Sequence, residues 1–136
     1  MQKKIKYHYN EHTQILYKTY IGNINIEDII SSWKNAISNN IIHTNVIGII
    51  CDYRLAHFDL GLDQDRMITE FYHKNLNVFG GLKIAILTSD PMDYIIPLLV
   101  KNEDKGYESS PFTNIENALS WVIDKPPSKK TCLLTL

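Results

Sequence analysis

The sequence predicts an α/β domain: a single-layer mixed β-sheet, made of an N-terminal hairpin plus parallel strands, covered by about four helices. Three observations carry that prediction. Two alternating segments rich in Ile and Tyr open the chain, two uninterrupted apolar runs lie at its centre, and apolar stripes of helical period separate and follow them.

Residues 3–9 (KKIKYHY) and 14–22 (QILYKTYIG) alternate in polarity around NEHT, which supplies turn chemistry, so they read as a β-hairpin. Lys3, Lys4 and Lys6 alternate with Ile5 and Tyr7, as on a solvated strand face. After Gly22, the residues Ile26, Ile29, Ile30, Trp33 and Ile37 form one helical stripe. Asn25 and Asp28 have capping-box spacing, and Asn39 and Asn40 end the helix.

VIGIICDY, residues 46–53, is an apolar run with β-branched residues, the mark of a strand covered on both faces. LKIAILT, residues 82–88, is a second. Between them Asp63 is the expected cap of a helix whose stripe is Met67, Ile68, Phe71 and Tyr72, and NVFGG breaks it. Strand, helix and strand make a βαβ unit with a right-handed crossover.

A third helix is expected over 89–102, with Asp90 at its cap, Pro91 at its first position and Asp93 in its first turn. Pro97 inside it predicts a short, kinked or interrupted helix, because an interior proline costs about 3 kcal/mol or more. YESSPF reads as an edge strand tolerant of Pro111. TNIENALSWVI follows as a helix, with Thr113 and Glu116 in capping-box spacing and Ile115, Leu119 and Val122 or Trp121 on its buried side.

At 136 residues the chain fits one domain, taken as residues 1–125, followed by a tail over 126–136. The tail starts with a Pro pair and ends in apolar residues, so it is expected either to fray or to join a sheet edge. A net charge of −1 argues against a nucleic-acid partner, which would demand an excess of clustered Lys and Arg. No apolar run approaches the roughly 20 residues of a membrane span, so the chain is expected to be soluble and cytoplasmic. Cys51 and Cys132 make neither a disulfide framework nor a metal box; Cys51 reads as a buried apolar residue and Cys132 lies one place too far from the end for prenylation.

The segments YIGNINIEDIISSWKNAI, IGIICDYRLAHFD, GLKIAILTSDPMDYIIPLL and PFTNIENALSWV fall in the order and spacing of the SpoIIAA-like, or STAS-like, small bacterial domains, which the chain resembles over roughly residues 4–123. The resemblance implies a sheet with helices on one side, kinship with the CRAL-TRIO lipid-transfer fold, and a non-enzymatic role. Domains of the anti-sigma-antagonist type dock a partner kinase and are switched by phosphorylation of a Ser at the start of the second helix. From Asn45 through Ile68 this sequence has no Ser or Thr, and Asp59, Asp63 and Asp65 would repel a phosphate. The phosphoswitch is therefore not carried over. What the resemblance leaves is a regulatory module with a protein partner, a homodimer among the candidates, or else a carrier or sensor of a small apolar ligand.

In open α/β sheets ligands gather beyond the carboxyl ends of the strands, which singles out Asp52, Arg54, His57, Ser89 and Asp90 as candidate ligand-binding residues. Asp52 and Arg54 read equally as a structural pair. A metal would recruit His57, Asp59, Asp52 and His73, but no ligand spacing connects them, and no metal or cofactor is assigned. Ser89 and Cys51 lack a nucleophile elbow, and NVFGGLK lacks the glycine spacing of a phosphate loop, so no catalytic residue is assigned. Phe71 and Tyr94 complete the candidate list, on the side where related folds enclose an apolar ligand or pair into dimers. A cavity lined by Phe71, Tyr94 and Leu98 would mark a carrier; a solid core with an apolar helix face outside would mark docking.

Overall fold

The computed structural model of the chain describes residues 4–124. Strands β1 (Lys4–Asn10) and β2 (Ile15–Ile24) form the hairpin, and helix α1 (Ile26–Ser38) leads to β3 (Gly48–Phe58). Helices α2 (Asp65–Lys74) and α3 (Leu76–Phe79) precede β4 (Lys83–Leu87). A 3-10 turn (Pro91–Tyr94) and α4 (Ile95–Lys101) lead to β5 (Glu108–Phe112), and α5 (Ile115–Ile123) follows. The expected tail over 126–136, with Cys132, lies outside the described residues.

The five strands lie in the order β1-β2-β3-β4-β5, antiparallel between β1 and β2 and parallel elsewhere. The hairpin turns on Asn10, whose side-chain oxygen accepts from the N–H groups of His12 (2.9 Å) and Thr13 (3.1 Å). No helix of the described residues is long and apolar enough to cross a membrane.

The resemblance implied helices on one side of the sheet, and the fold departs from that. Leu16, Tyr20, Ile49, Cys51, Tyr53 and Ile84 face a core completed by α1, α2 and α4, whereas Ile15, Ile50, Ala85 and Leu87 face the other way and pack on Ala118 and Val122 of α5. The cause is legible in the strands. Their central residues are apolar at both parities, so each face must be covered. The second face packs tightly enough that a Cβ on Gly48 would run into the Val122 side chain.

Strand β3 continues to Phe58, beyond the expected end at Tyr53, because β2 pairs with it as far as Ile24 despite a register shift between Thr19 and Ile21. Asp52, Arg54 and His57 thus stand on a strand and not in a loop. The capping box of α1 forms as expected, with Asp28 N–H donating to Asn25 Oδ1 and Asn25 N–H to Asp28 Oδ2, both at 2.9 Å. Two expected caps are corrected. Gln64, not Asp63, precedes α2, and its side chain turns back to accept from Gly61 N–H at 3.0 Å. Asn114, not Thr113, caps α5, accepting from Asn117 N–H at 2.8 Å. Pro97 divides its segment as expected: Asp90 caps a 3-10 turn, and Pro97 falls in the first turn of the short α4, where its missing N–H has no partner to lose.

Candidate functional site

The carboxyl ends of β2, β3 and β4 converge on the predicted residues. Asp52 and Arg54 project from the same face of β3, two residues apart, so the guanidinium reaches back along its own strand. Arg54 Nε donates to Asp52 Oδ1 at 3.0 Å and Nη2 to Oδ2 at 2.9 Å, while Arg54 N–H adds a third bond to Oδ1 at 3.0 Å. Ser89 lies beside them, its hydroxyl 3.4 Å from the Arg54 carbonyl. The Asp52–Arg54 pair is satisfied internally.

A different set surrounds His57. Its Nδ1 stands 3.6 Å from Asp93 Oδ2, and Asp90 closes the group from the turn after β4. Asp90 Oδ1 accepts from Met92 N–H at 3.0 Å, the expected capping bond. Asp93 is only 6% exposed; burial raises its pKa, opposed by His57 and by the Phe58 main-chain N–H and reinforced by Asp90. Sequence reasoning placed Asp93 only as a first-turn acid. The Asp-Pro-x-Asp spacing directly after an apolar strand was the signal that could have joined it to Asp90.

Phe71 lies on α2, and Tyr94 directly follows Asp93 but sends its side chain elsewhere. Phe71 packs 6.2 Å from Phe79 and faces an open groove of about 620 Å³ between α1 and α2, with Ile30, Ile37 and Met67. The Tyr94 hydroxyl donates to the Pro111 carbonyl of β5 at 3.2 Å. Neither these nor Leu98 line the interior cavity beneath α4. That space, about 30 Å³ among Tyr20, Trp33, Tyr53, Tyr72, Pro97 and Val100, suits a water or two, whereas ligand pockets span roughly 300–1,000 Å³.

Lys18 escaped sequence reasoning altogether, although its parity with Leu16 and Tyr20 on β2 points it inward. It is fully buried, and burial lowers its pKa well below the ordinary lysine value. Cys51 is its register partner on β3, and burial pushes that thiol up to about 12, so it stays protonated and unreactive.

No protein-family model and no curated protein sequence matches the chain. Solved structures do. A DUF3478-family protein with a SpoIIAA-like fold from Shewanella loihica PV-4 superimposes with a TM-score of 0.59 at 16% identity, over 88% of this chain and 93% of that one. The chain has the SpoIIAA-like fold. The unphosphorylated anti-sigma factor antagonist SpoIIAA itself matches with a TM-score of 0.50 at 14% identity, over 88% of this chain and 97% of that one. In this SpoIIAA-like sheet the connection from β3 to α2, residues 59–64, carries no Ser or Thr.

Proposed function

We propose that this SpoIIAA-like chain is a non-catalytic regulatory domain, over residues 1–125, that docks a protein partner through the outer side of the Pro91–Tyr94 turn and α4. One observation carries the reading: Met92, Ile95 and Leu98 recur at intervals of three on the outside, Met92 at 70% exposure, while Ile96, Pro97 and Val100 face inward. An outward apolar row of this kind marks an interaction surface. The unreactive Cys51 thiol supports a non-catalytic role. Without a hydroxyl over residues 59–64, regulation does not run through a phosphoserine at the start of α2. Asp52, Arg54, Ser89 and Tyr94 are then structural groups. A cytoplasmic setting agrees with a buried cysteine left as a free thiol.

A second copy of the chain is the first occupant to test. Native mass spectrometry of wild type should show a homodimer that the paired substitution Met92→Glu and Leu98→Glu converts to monomer without changing the circular dichroism melt. Where wild type is monomeric, affinity capture decides: a protein held by wild type and lost by the paired variant supports docking, and equal retention overturns it.

The α1–α2 groove favours a second reading, carriage of a small apolar ligand against Ile30, Ile37, Met67 and Phe71. Its mark is mass that the native protein carries and denaturation releases. Native and denatured masses that agree would remove it.

A further inference from the structure

His57 Nδ1, one carboxylate oxygen of Asp90 and one of Asp93 all lie within 4.8 Å of one another, where the end of β3 meets the Pro91–Tyr94 turn. We infer that these three side chains form a binding site for one divalent first-row transition-metal cation, in the range from Mn²⁺ to Zn²⁺, with its remaining coordination positions open to water or a ligand. The site shares the Pro91–Tyr94 turn with the docking face, but its three side chains are not those of the outward row of Met92, Ile95 and Leu98.

Two facts beyond proximity carry this. Asp93 is more than nine-tenths buried, yet among the described residues no Lys or Arg is paired with it: its neighbours are the His57 ring, the Phe58 main-chain N–H and a second carboxylate. With neither a Lys nor an Arg beside it among the described residues, the buried carboxylate has no permanent cation to offset its desolvation. A divalent ion supplies one, and its charge balances the two carboxylates.

The donor geometry agrees. Two donors about 2.1 Å from a tetrahedral cation stand roughly 3.4 Å apart. His57 Nδ1 and Asp93 Oδ2 stand 3.6 Å apart. The third donor, from Asp90, lies within 4.8 Å of the other two, and the exposed His57 side chain is free of packing that would hold it away. Main-chain groups already hold both carboxylates: Met92 N–H occupies Asp90 Oδ1, leaving Oδ2 free, and Phe58 N–H anchors Asp93. The imidazole selects against Mg²⁺ and Ca²⁺, which prefer all-oxygen shells.

The test is isothermal titration of tag-free protein with ZnCl₂ and with MnCl₂, and the absorption spectrum of the Co²⁺ complex, for wild type, His57→Ala, Asp90→Asn and Asp93→Asn. Wild type should bind one ion per chain, each variant at least about tenfold more weakly, with loss of the Co²⁺ ligand-field bands. Circular dichroism checks folding. Should Asp93→Asn unfold, the two surface variants still decide. No saturable binding up to millimolar metal, or binding and spectra unchanged in His57→Ala, overturns the site.

Discussion

The Nζ of Lys18 sits 3.4 Å from the centre of the Trp33 ring, fully buried and without a hydrogen-bond acceptor among the described residues. The ring face gives the amine its main favourable contact, but does not restore the hydration lost on burial. Its pKa in the fold lies well below 10.5, so between the folded and unfolded values the unfolded chain binds the extra proton. Stability from this group therefore rises with pH, by about 1.4 kcal/mol per unit within that window. The measurement is the stability of wild type relative to Lys18→Met by urea denaturation from pH 7 to 9. Wild type should gain on the variant as pH rises; a constant difference would show that Lys18 is not buried as an amine. Cys51, whose raised pKa works in the opposite direction, contributes mainly above this pH range.

Substituting Gly48 with Ala should destabilise the fold by about 1–3 kcal/mol, since the new methyl meets the Val122 side chain and the Lys83 carbonyl at once. Adding Val122→Ala should cost less in the Gly48→Ala background than in wild type, because the two changes share one contact. Urea midpoints of the four proteins in that cycle provide the check, and strict additivity would place α5 elsewhere.

Helix caps offer a third comparison. Asn25→Ala and Asn114→Ala should each lose about 1 kcal/mol, because each side chain satisfies an N–H at a helix start. Thr113→Ala and Asp63→Ala should stay within about 0.5 kcal/mol of wild type, as neither residue caps a helix. Thermal melts of the four variants separate the pairs.

The Asp52–Arg54 pair should matter little to stability. It is bidentate but solvated, and Asp52→Asn or Arg54→Met should change stability by no more than about 1 kcal/mol. A larger loss in denaturant titration would mean that the pair braces the end of β3.

Periodicity revealed the hairpin, the α1 capping box, both central strands and the division at Pro97, because each depends on neighbours close in sequence. It stopped β3 too early. Arg54 and His57 are polar, Arg54 falls in the register shift, and Asn23, the partner that keeps His57 in the ladder, is distant in the chain. The two misplaced caps differ from the observed ones by a single residue, a margin that local composition does not resolve. Asp93 joined His57 only through the fold, which brings a 3-10 turn against a strand end. Lys18 was legible from parity alone, yet a lysine in a strand is ordinarily assigned to the solvent side.

That α5 is the only helix of the described residues on the second face has a consequence for synthesis. The helix is encoded after every strand, so a nascent chain that has not yet released residues 115–123 from the ribosome presents Ile15, Ile50, Ala85 and Leu87 uncovered. Premature termination before Ile115 would thus leave a sheet with one finished side and one adhesive side, a substrate for chaperones and proteases.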